Sequence, residues 1–257
     1  MPTDIMKRSF FLIVILGLLS SMALAAADGP AILKSIEDRL MGAQAPQDLQ
    51  ATMTMTIKRG GSVKTREIRA WSKNNADRDD SRVLKFVSPA DVKDVGFLVL
   101  AEDSMYIYLP EFHRVRRIAS SNKRDSFMDS DFSYEDMGTG GYSKYYDSKV
   151  ASETDKTWVL ELTKKPDAEK PYGKILLTVD KGNGLPVRME AFDAAGRLWK
   201  TSDQTASRVG QYWIMTSYVM TDLKKNSTTT LEMKDLKPDQ KLADDIFSER
   251  FLVRRVL

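Results

Sequence analysis

From Gln50 onward this chain repeats one pattern: short runs of alternating apolar and polar residues, each closed by a turn. Gln50–Lys58 shows it most cleanly, with Ala51, Met53, Met55 and Ile57 on one side and Thr52, Thr54 and Thr56 on the other. A period of two places such residues on opposite faces of a strand, so one face is buried. Gly60-Gly61 supplies the turn and Val63–Trp71 returns. Strands follow at Arg82–Val87, Phe97–Ala101 and Met105–Leu109, then at Thr157–Thr163, Lys174–Asp180, Val187–Phe192, Leu198–Thr205, Tyr212–Asp222 and Thr228–Leu236. Lys181-Gly182-Asn183-Gly184 and Asp193-Ala194-Ala195-Gly196 read as turns. Hairpin follows hairpin, which predicts a mainly β (α+β) fold: one strongly curved antiparallel sheet of roughly ten strands with few helices.

Two helical signals flank the strands. In Ala31–Met41, Ile32, Leu33, Ile36 and Leu40 fall at helical spacing before Gly42 and Pro46, and Asp244–Arg250 reads as a short closing turn. The longest interruption, Ser120 to Ser148, is rich in glycine, serine and acid. A loop of this length in a compact domain is usually functional or partly helical.

The N-terminus predicts export. Lys7 and Arg8 precede an apolar run from Phe10 to Leu19, and Ala23-Leu24-Ala25-Ala26-Ala27 offers a cleavage pattern before Asp28. The apolar run is shorter than the ~20 residues that span a bilayer. Residues 1–27 are therefore expected to be a signal peptide and 28–257 a single mature domain. No cysteine is present, so there is no disulfide framework and no lipid-modified cysteine at the cleavage point. A periplasmic protein, unanchored after cleavage, is the expectation, and about 230 residues bury a sufficient core without disulfides.

Composition excludes most chemistry. With 39 bases against 36 acids the chain has no global field for nucleic acid, and its basic residues concentrate locally at Arg114–Arg124. The one histidine, His113, sits among arginines that would lower its basicity, and there is no thiol nucleophile or G-x-S-x-G elbow. A single histidine without cysteine does not make a zinc site. The segment beginning Asp129-Ser130-Asp131 resembles a calcium loop only briefly, because Tyr134 stands at the sixth position and Gly140 at the twelfth. No catalytic residue, metal or cofactor is expected. A carboxylate-dependent glycan hydrolase remains a remote alternative, since two opposed acids suffice for one. All four tryptophans, however, fall within predicted strands.

Three blocks resemble a known family. They are Ser88-Pro89-Ala90-Asp91-Val92-Lys93-Asp94-Val95-Gly96-Phe97-Leu98, Tyr106-Ile107-Tyr108-Leu109-Pro110 with Arg114-Val115-Arg116-Arg117-Ile118, and Ser126 to Asp136, SFMDSDFSYED. In that order, and with the ending Ile246-Phe247-Ser248-Glu249-Arg250-Phe251-Leu252, they resemble the LolA-like outer-membrane lipoprotein-sorting proteins. The match is to the broader branch often found with RND/MMPL transporters. One departure is Asp129, where the family usually has glycine.

The resemblance implies an unclosed β-barrel with helices as a lid over an apolar cavity that accepts acyl chains. It implies a carrier of a lipid or acylated protein between envelope membranes, with transient membrane contact and an RND/MMPL-type inner-membrane transporter as partner. A non-catalytic interaction subunit of such a transporter complex is the alternative. Met53, Met55, Ile57, Leu84, Phe86, Leu98, Val99, Tyr106 and Tyr108 are the candidate cavity wall, the face of each strand depending on register. Thirteen methionines suit an adaptable wall, although core filling is their commoner use. Arg114, Arg116 and Arg117 are candidates for a rim that meets a head group or partner.

Overall fold

The structure, a computed structural model, describes residues 27–75 and 79–255. The expected signal peptide lies, but for Ala27, outside the described residues. One helix, α1 (Gly29–Leu40), precedes thirteen strands. The first six are β1 (Asp48–Arg59), β2 (Ser62–Lys73), β3 (Ser81–Ser88), β4 (Gly96–Ala101), β5 (Ser104–Leu109) and β6 (Arg114–Arg117). After a long crossing segment come β7 (Tyr146–Glu153), β8 (Thr157–Lys164), β9 (Lys174–Asp180), β10 (Leu185–Phe192), β11 (Leu198–Val209), β12 (Tyr212–Asp222) and β13 (Ser227–Pro238). A short helix, α2 (Glu249–Leu252), follows.

All thirteen strands join one antiparallel sheet in the order β6-β5-β4-β3-β2-β1-β13-β12-β11-β10-β9-β8-β7. The first and last strands therefore pair in mid-sheet, with Met55 opposite Leu231. The two edges, β6 and β7, are neighbours in the chain. The sheet is curved and unclosed.

The count exceeds the expected ten because both edge strands escape an alternation test. Arg114-Val115-Arg116-Arg117 has one apolar residue, and β7 buries only Tyr146 fully. Charged, half-exposed edges resist pairing with other chains, so they lack the apolar period that marks interior strands. Helix α1 begins two residues before the expected start, with Pro30 in its first turn, where its missing N–H is not needed. The predicted closing turn divides into a 3₁₀ turn at Asp244–Ile246 and α2.

Side chains on the inner face form the larger core. Met53, Met55 and Ile57 of β1, Leu84 and Phe86 of β3, and Leu160, Leu162, Ile175 and Leu177 of β8 and β9 join Leu33 and Ile36 of α1 there. Helix α1 lies against β7, β10 and β12. Gly29 allows the approach, since a Cβ there would lie 2.6 Å from the Lys149 Cα. The outer face carries a smaller cluster in which Trp71, Val83, Leu98 and Tyr108 pack against Leu242, Phe247 and Leu252.

Lys85 belongs to this outer cluster and has no exposed surface. Its ammonium donates to the Leu252 carbonyl at 2.5 Å and the Asp94 carbonyl at 3.2 Å, tying the C-terminal turn to β3. Burial pushes its pKa down to about 8. A lysine whose folded pKa lies below its unfolded value penalises the fold while both states are protonated, and the penalty fades as pH rises above 8. Wild-type stability, measured by urea unfolding relative to Lys85→Met, is therefore expected to rise by roughly 1–3 kcal/mol between pH 8 and 10. A flat difference would show that the ammonium is not the cause.

Candidate functional site

Residues 118–145 connect the two edges of the sheet by crossing its inner face. Phe127 is fully buried, its ring 5.1 Å from that of Phe97 and 5.5 Å from that of Tyr134. Asp131 then reaches the middle of the sheet. Its fully buried carboxylate accepts from the Ser227 hydroxyl and from the Thr229 hydroxyl at 2.7 Å, both on β13. The Asp131 N–H donates back to Thr229 Oγ1 at 2.9 Å, and Lys200 of β11 donates to its carbonyl at 2.7 Å. Arg66 of β2 holds the Met128 carbonyl and Arg59 of β1 the Asp129 carbonyl. Four strands thus hold one short loop.

The family-like block SFMDSDFSYED is this anchor. Asp129 has φ +61, in the left-handed region where glycine is unstrained, which accounts for the glycine that usually stands there. Aspartate tolerates the region better than most residues. The acids of the segment beginning Asp129-Ser130-Asp131 are committed elsewhere: Asp131 to β13, and Asp136 to the Ser133 N–H (2.8 Å), Tyr172 (3.0 Å) and Lys200 (3.3 Å). Among the described residues no group of His, Cys, Asp and Glu is arranged to hold a metal ion.

Beyond the anchor, residues 137–146 form a strap tied to the surrounding elements. Glu37 of α1 accepts from the Ser143 N–H at 2.8 Å and its hydroxyl at 2.6 Å. Glu102, in the β4–β5 turn, accepts from Lys144 at 3.0 Å and from the Tyr145 hydroxyl, and pairs with Lys170 of the β8–β9 loop. Lys170 also meets Glu135 at 2.7 Å and lies 3.8 Å above the Tyr145 ring. Burial would raise the Glu102 pKa, but the bonds from Lys170, Tyr145 and Lys144 outweigh it and lower it to about 2. This clasp joins the two sides of the unclosed sheet.

Between α1, the strap and the inner faces of β1, β9, β12 and β13 lies a cavity of about 380 Å³. Met53, Leu177, Trp213, Met215, Leu231 and Met233 give its apolar wall. Tyr142, Tyr145, Tyr146, Tyr172 and Tyr218 add aromatic surface with polar tips. Its wall is also split: β12 pairs with β13 only from Ser217 to Asp222, and a bulge between Thr205 and Ala206 precedes the free stretch of the β11–β12 ribbon.

Of the expected wall residues, Met53 lines this space. Met55, Ile57, Leu84, Phe86 and Val99 face the same side but are packed in the inner core. Leu98, Tyr106 and Tyr108 face the other way, in and against the outer cluster. The parity expected for them is corrected because Phe97, Val99, Met105 and Ile107 take the inner face. Arg114, Arg116 and Arg117 lie exposed on β6 and do not line the cavity. Arg116 covers the Phe112 ring at 5.3 Å, and Arg117 donates to the Asp103 carbonyl at 2.9 Å. His113 is exposed in the turn before β6. The β12 side of the wall was missed, although Trp213, Met215 and Tyr218 stand in a strand that sequence patterning does identify.

An unclosed antiparallel sheet thus wraps around an apolar space under a helix and a strap. A family model described as an uncharacterized protein matches residues 78–254. A DUF1329 family protein from Desulfovibrio piger is 28% identical, with a TM-score of 0.80, over 88% of this chain and all of that one. An outer membrane lipoprotein-sorting protein domain from Vibrio parahaemolyticus is also 28% identical, with a TM-score of 0.79, over 88% of this chain and 98% of the other. A LolA superfamily protein from Nitrosomonas europaea shares the fold at 21% identity, with a TM-score of 0.69, covering 88% and 100%. No curated protein matches. The chain belongs to the family of that model, and its fold is LolA-like. Among the described residues no helix is long and apolar enough to cross a membrane.

Two substitutions separate anchor from strain. Asp131→Ala leaves the buried Ser227 and Thr229 hydroxyls without their acceptor and removes the Arg59–Asp131 ion pair at 3.8 Å, and is expected to cost about 3 kcal/mol in urea unfolding. Asp129→Gly relieves the left-handed backbone and is expected to stabilise by about 0.5–1 kcal/mol, since the Arg66–Asp129 pair it removes is long, at 3.9 Å.

Proposed function

We propose that this protein is a periplasmic carrier that shelters an acyl chain of a lipid or lipoprotein in its cavity and moves it between envelope membranes. The observation that carries the reading is the enclosed apolar space, lined by methionine and aromatic side chains and spanned by a strap that is tied down by polar bonds. A chain of ~14 carbons loses roughly 11 kcal/mol of shelter on leaving a bilayer, so a carrier must offer nearly that much without exceeding it. Methionine walls adapt to such cargo. A strap held by Glu37, Glu102 and Lys170 can move without unfolding the sheet.

The sorting-protein domain of Vibrio parahaemolyticus supports the same reading by its name. The leader at residues 1–27 supplies export. An RND/MMPL-type transporter is the partner the family resemblance implies at the inner membrane. The exposed Arg114, Arg116 and Arg117, away from the cavity, suit contact with an acidic partner or membrane surface rather than with enclosed cargo. No catalytic step is assigned, because the acids near the cavity are occupied by lysines, hydroxyls and backbone N–H groups.

Native mass spectrometry of protein purified from its own envelope is expected to show bound lipid or acylated peptide. Uptake of a fluorescent fatty acid is expected to fall at least about tenfold in Met215→Asp, which puts a charge in the wall, and to persist in Val63→Asp at the exposed start of β2. Apo protein alone, together with no uptake by the wild type, would end the carrier reading.

A further inference from the structure

The cations around the cavity are not equivalent. Lys170 is held between Glu102 and Glu135, and Lys73 pairs with Asp244 at 2.6 Å. Lys200, which bears on Asp136, is not in the lining. Arg39 gives one nitrogen to the Asn183 carbonyl at 2.6 Å, and its buried Nε has no partner among the described residues. Arg82 shares this shortage of acceptors and has hydroxyls of the lining near it. It lines the cavity from β3, and its Nη1 donates to the carbonyls of Met137 at 2.9 Å and Gly138 at 3.3 Å. Among the described residues no carboxylate lies within ion-pair distance of it. Its Nε and Nη2 also have no protein acceptor there. Burial lowers its pKa, the response of a cation short of solvent.

Two hydroxyls without partners line the same cavity. Tyr218 of β12 also lines the cavity, lies within electrostatic reach of Arg82, and has no hydrogen-bond partner for its hydroxyl among the described residues. Thr139, the residue after the carbonyl that Arg82 holds, has a buried hydroxyl oxygen with no partner. The nearby acid is Asp80, two positions earlier, which accepts from the Asn75 N–H at 3.1 Å. Burial raises its pKa to about 6, and it lies beyond ion-pair distance of the Arg82 guanidinium. A half-used guanidinium beside two free hydroxyls lacks an acceptor.

We infer that the cavity selects amphiphiles with an oxyanion head, a carboxylate or phosphate ester, received by the free N–H fork of Arg82 with Tyr218 and Thr139 as further donors. Guanidinium binds such groups through two parallel bonds, which fixes the head while the tail lies along the methionine wall. This rests on the reading of the cavity as an acyl-chain site. Under it, the ligand completes a polar cluster that the protein leaves open, and a neutral lipid of equal length leaves the fork without an anionic partner.

Binding of palmitate, palmitoyl-lysophosphatidylglycerol and 1-hexadecanol to the full mature chain, each below its aggregation limit, tests this through the fluorescence of Trp213 and by calorimetry. At least one anionic probe is expected to bind about tenfold or more tighter than hexadecanol, the worth of a charge-assisted pair. Which one does so tells carboxylate from phosphate. Arg82→Gln is expected to erase the advantage while hexadecanol affinity stays within about twofold, and Arg82→Lys to keep part of it. Equal binding of all three by the wild type, or an advantage that survives Arg82→Gln, would overturn the inference and leave the carrier reading standing. No binding of any probe would remove both. If Arg82→Gln loses hexadecanol as well, the cavity itself has collapsed, and Tyr218→Phe decides: an unchanged preference there counts against the cluster.

Discussion

Asp131 holds the fold together at the point where a curved, unclosed sheet is weakest. Such a sheet has an inner face too wide to fill from its own side chains, and its two edges cannot meet. The crossing segment solves both problems, and it stays in place because one buried carboxylate is matched by two hydroxyls of β13 and by the bonds of Lys200, Arg66 and Arg59 around it. A buried charge is costly unless fully partnered, so the segment has one well-defined seat on the sheet. With that seat fixed, Phe127 packs on Phe97, the strap begins at a defined place, and the space left above becomes a cavity instead of a collapsed core.

The division between fixed and movable parts follows. Below the anchor, side chains of β1, β3, β8 and β9 close on one another without polar gaps. Above it, the strap buries Met137 and Tyr146 in the core and is tied by polar bonds as well, Glu37 to Ser143 and Glu102 to Lys144 and Tyr145. Bonds of this kind exchange readily with water. The apolar wall beneath them does not.

Much of this architecture can be read from residue order, and the failures have physical causes. Interior strands such as β1 announce themselves because one face is buried and the other is not, so Met53, Met55 and Ile57 alternate with threonines. β6 and β7 do not, because edges are half-exposed on both faces and carry charge. Face assignment failed at Tyr106 and Tyr108, where both faces of β5 are covered and alternation between tyrosine and aliphatic residues has no built-in sign. The cavity was only partly legible. Met53 is common to the expectation and the structure, whereas Trp213, Met215 and Tyr218 come from a strand more than 150 residues away in sequence, brought opposite by curvature that no local pattern encodes. Asp129 was legible as an odd letter, and its positive φ supplies the reason.

The pairing of β1 with β13 has a kinetic consequence. Strands β1 to β6 form one meander and β7 to β13 another, each built from contacts between chain neighbours. The seam between them, with Met55 across from Leu231, is the most distant pairing in the sheet. The entropy of closing so long a loop must be met before that seam returns anything, so local hairpins form early and the seam late. Ser227 and Thr229 sit on the seam strand itself and Arg59 on its partner β1, so the seat for Asp131 is complete only once the seam has formed. The chain cannot enclose its cavity by halves: two open meanders become a container in the step that joins them.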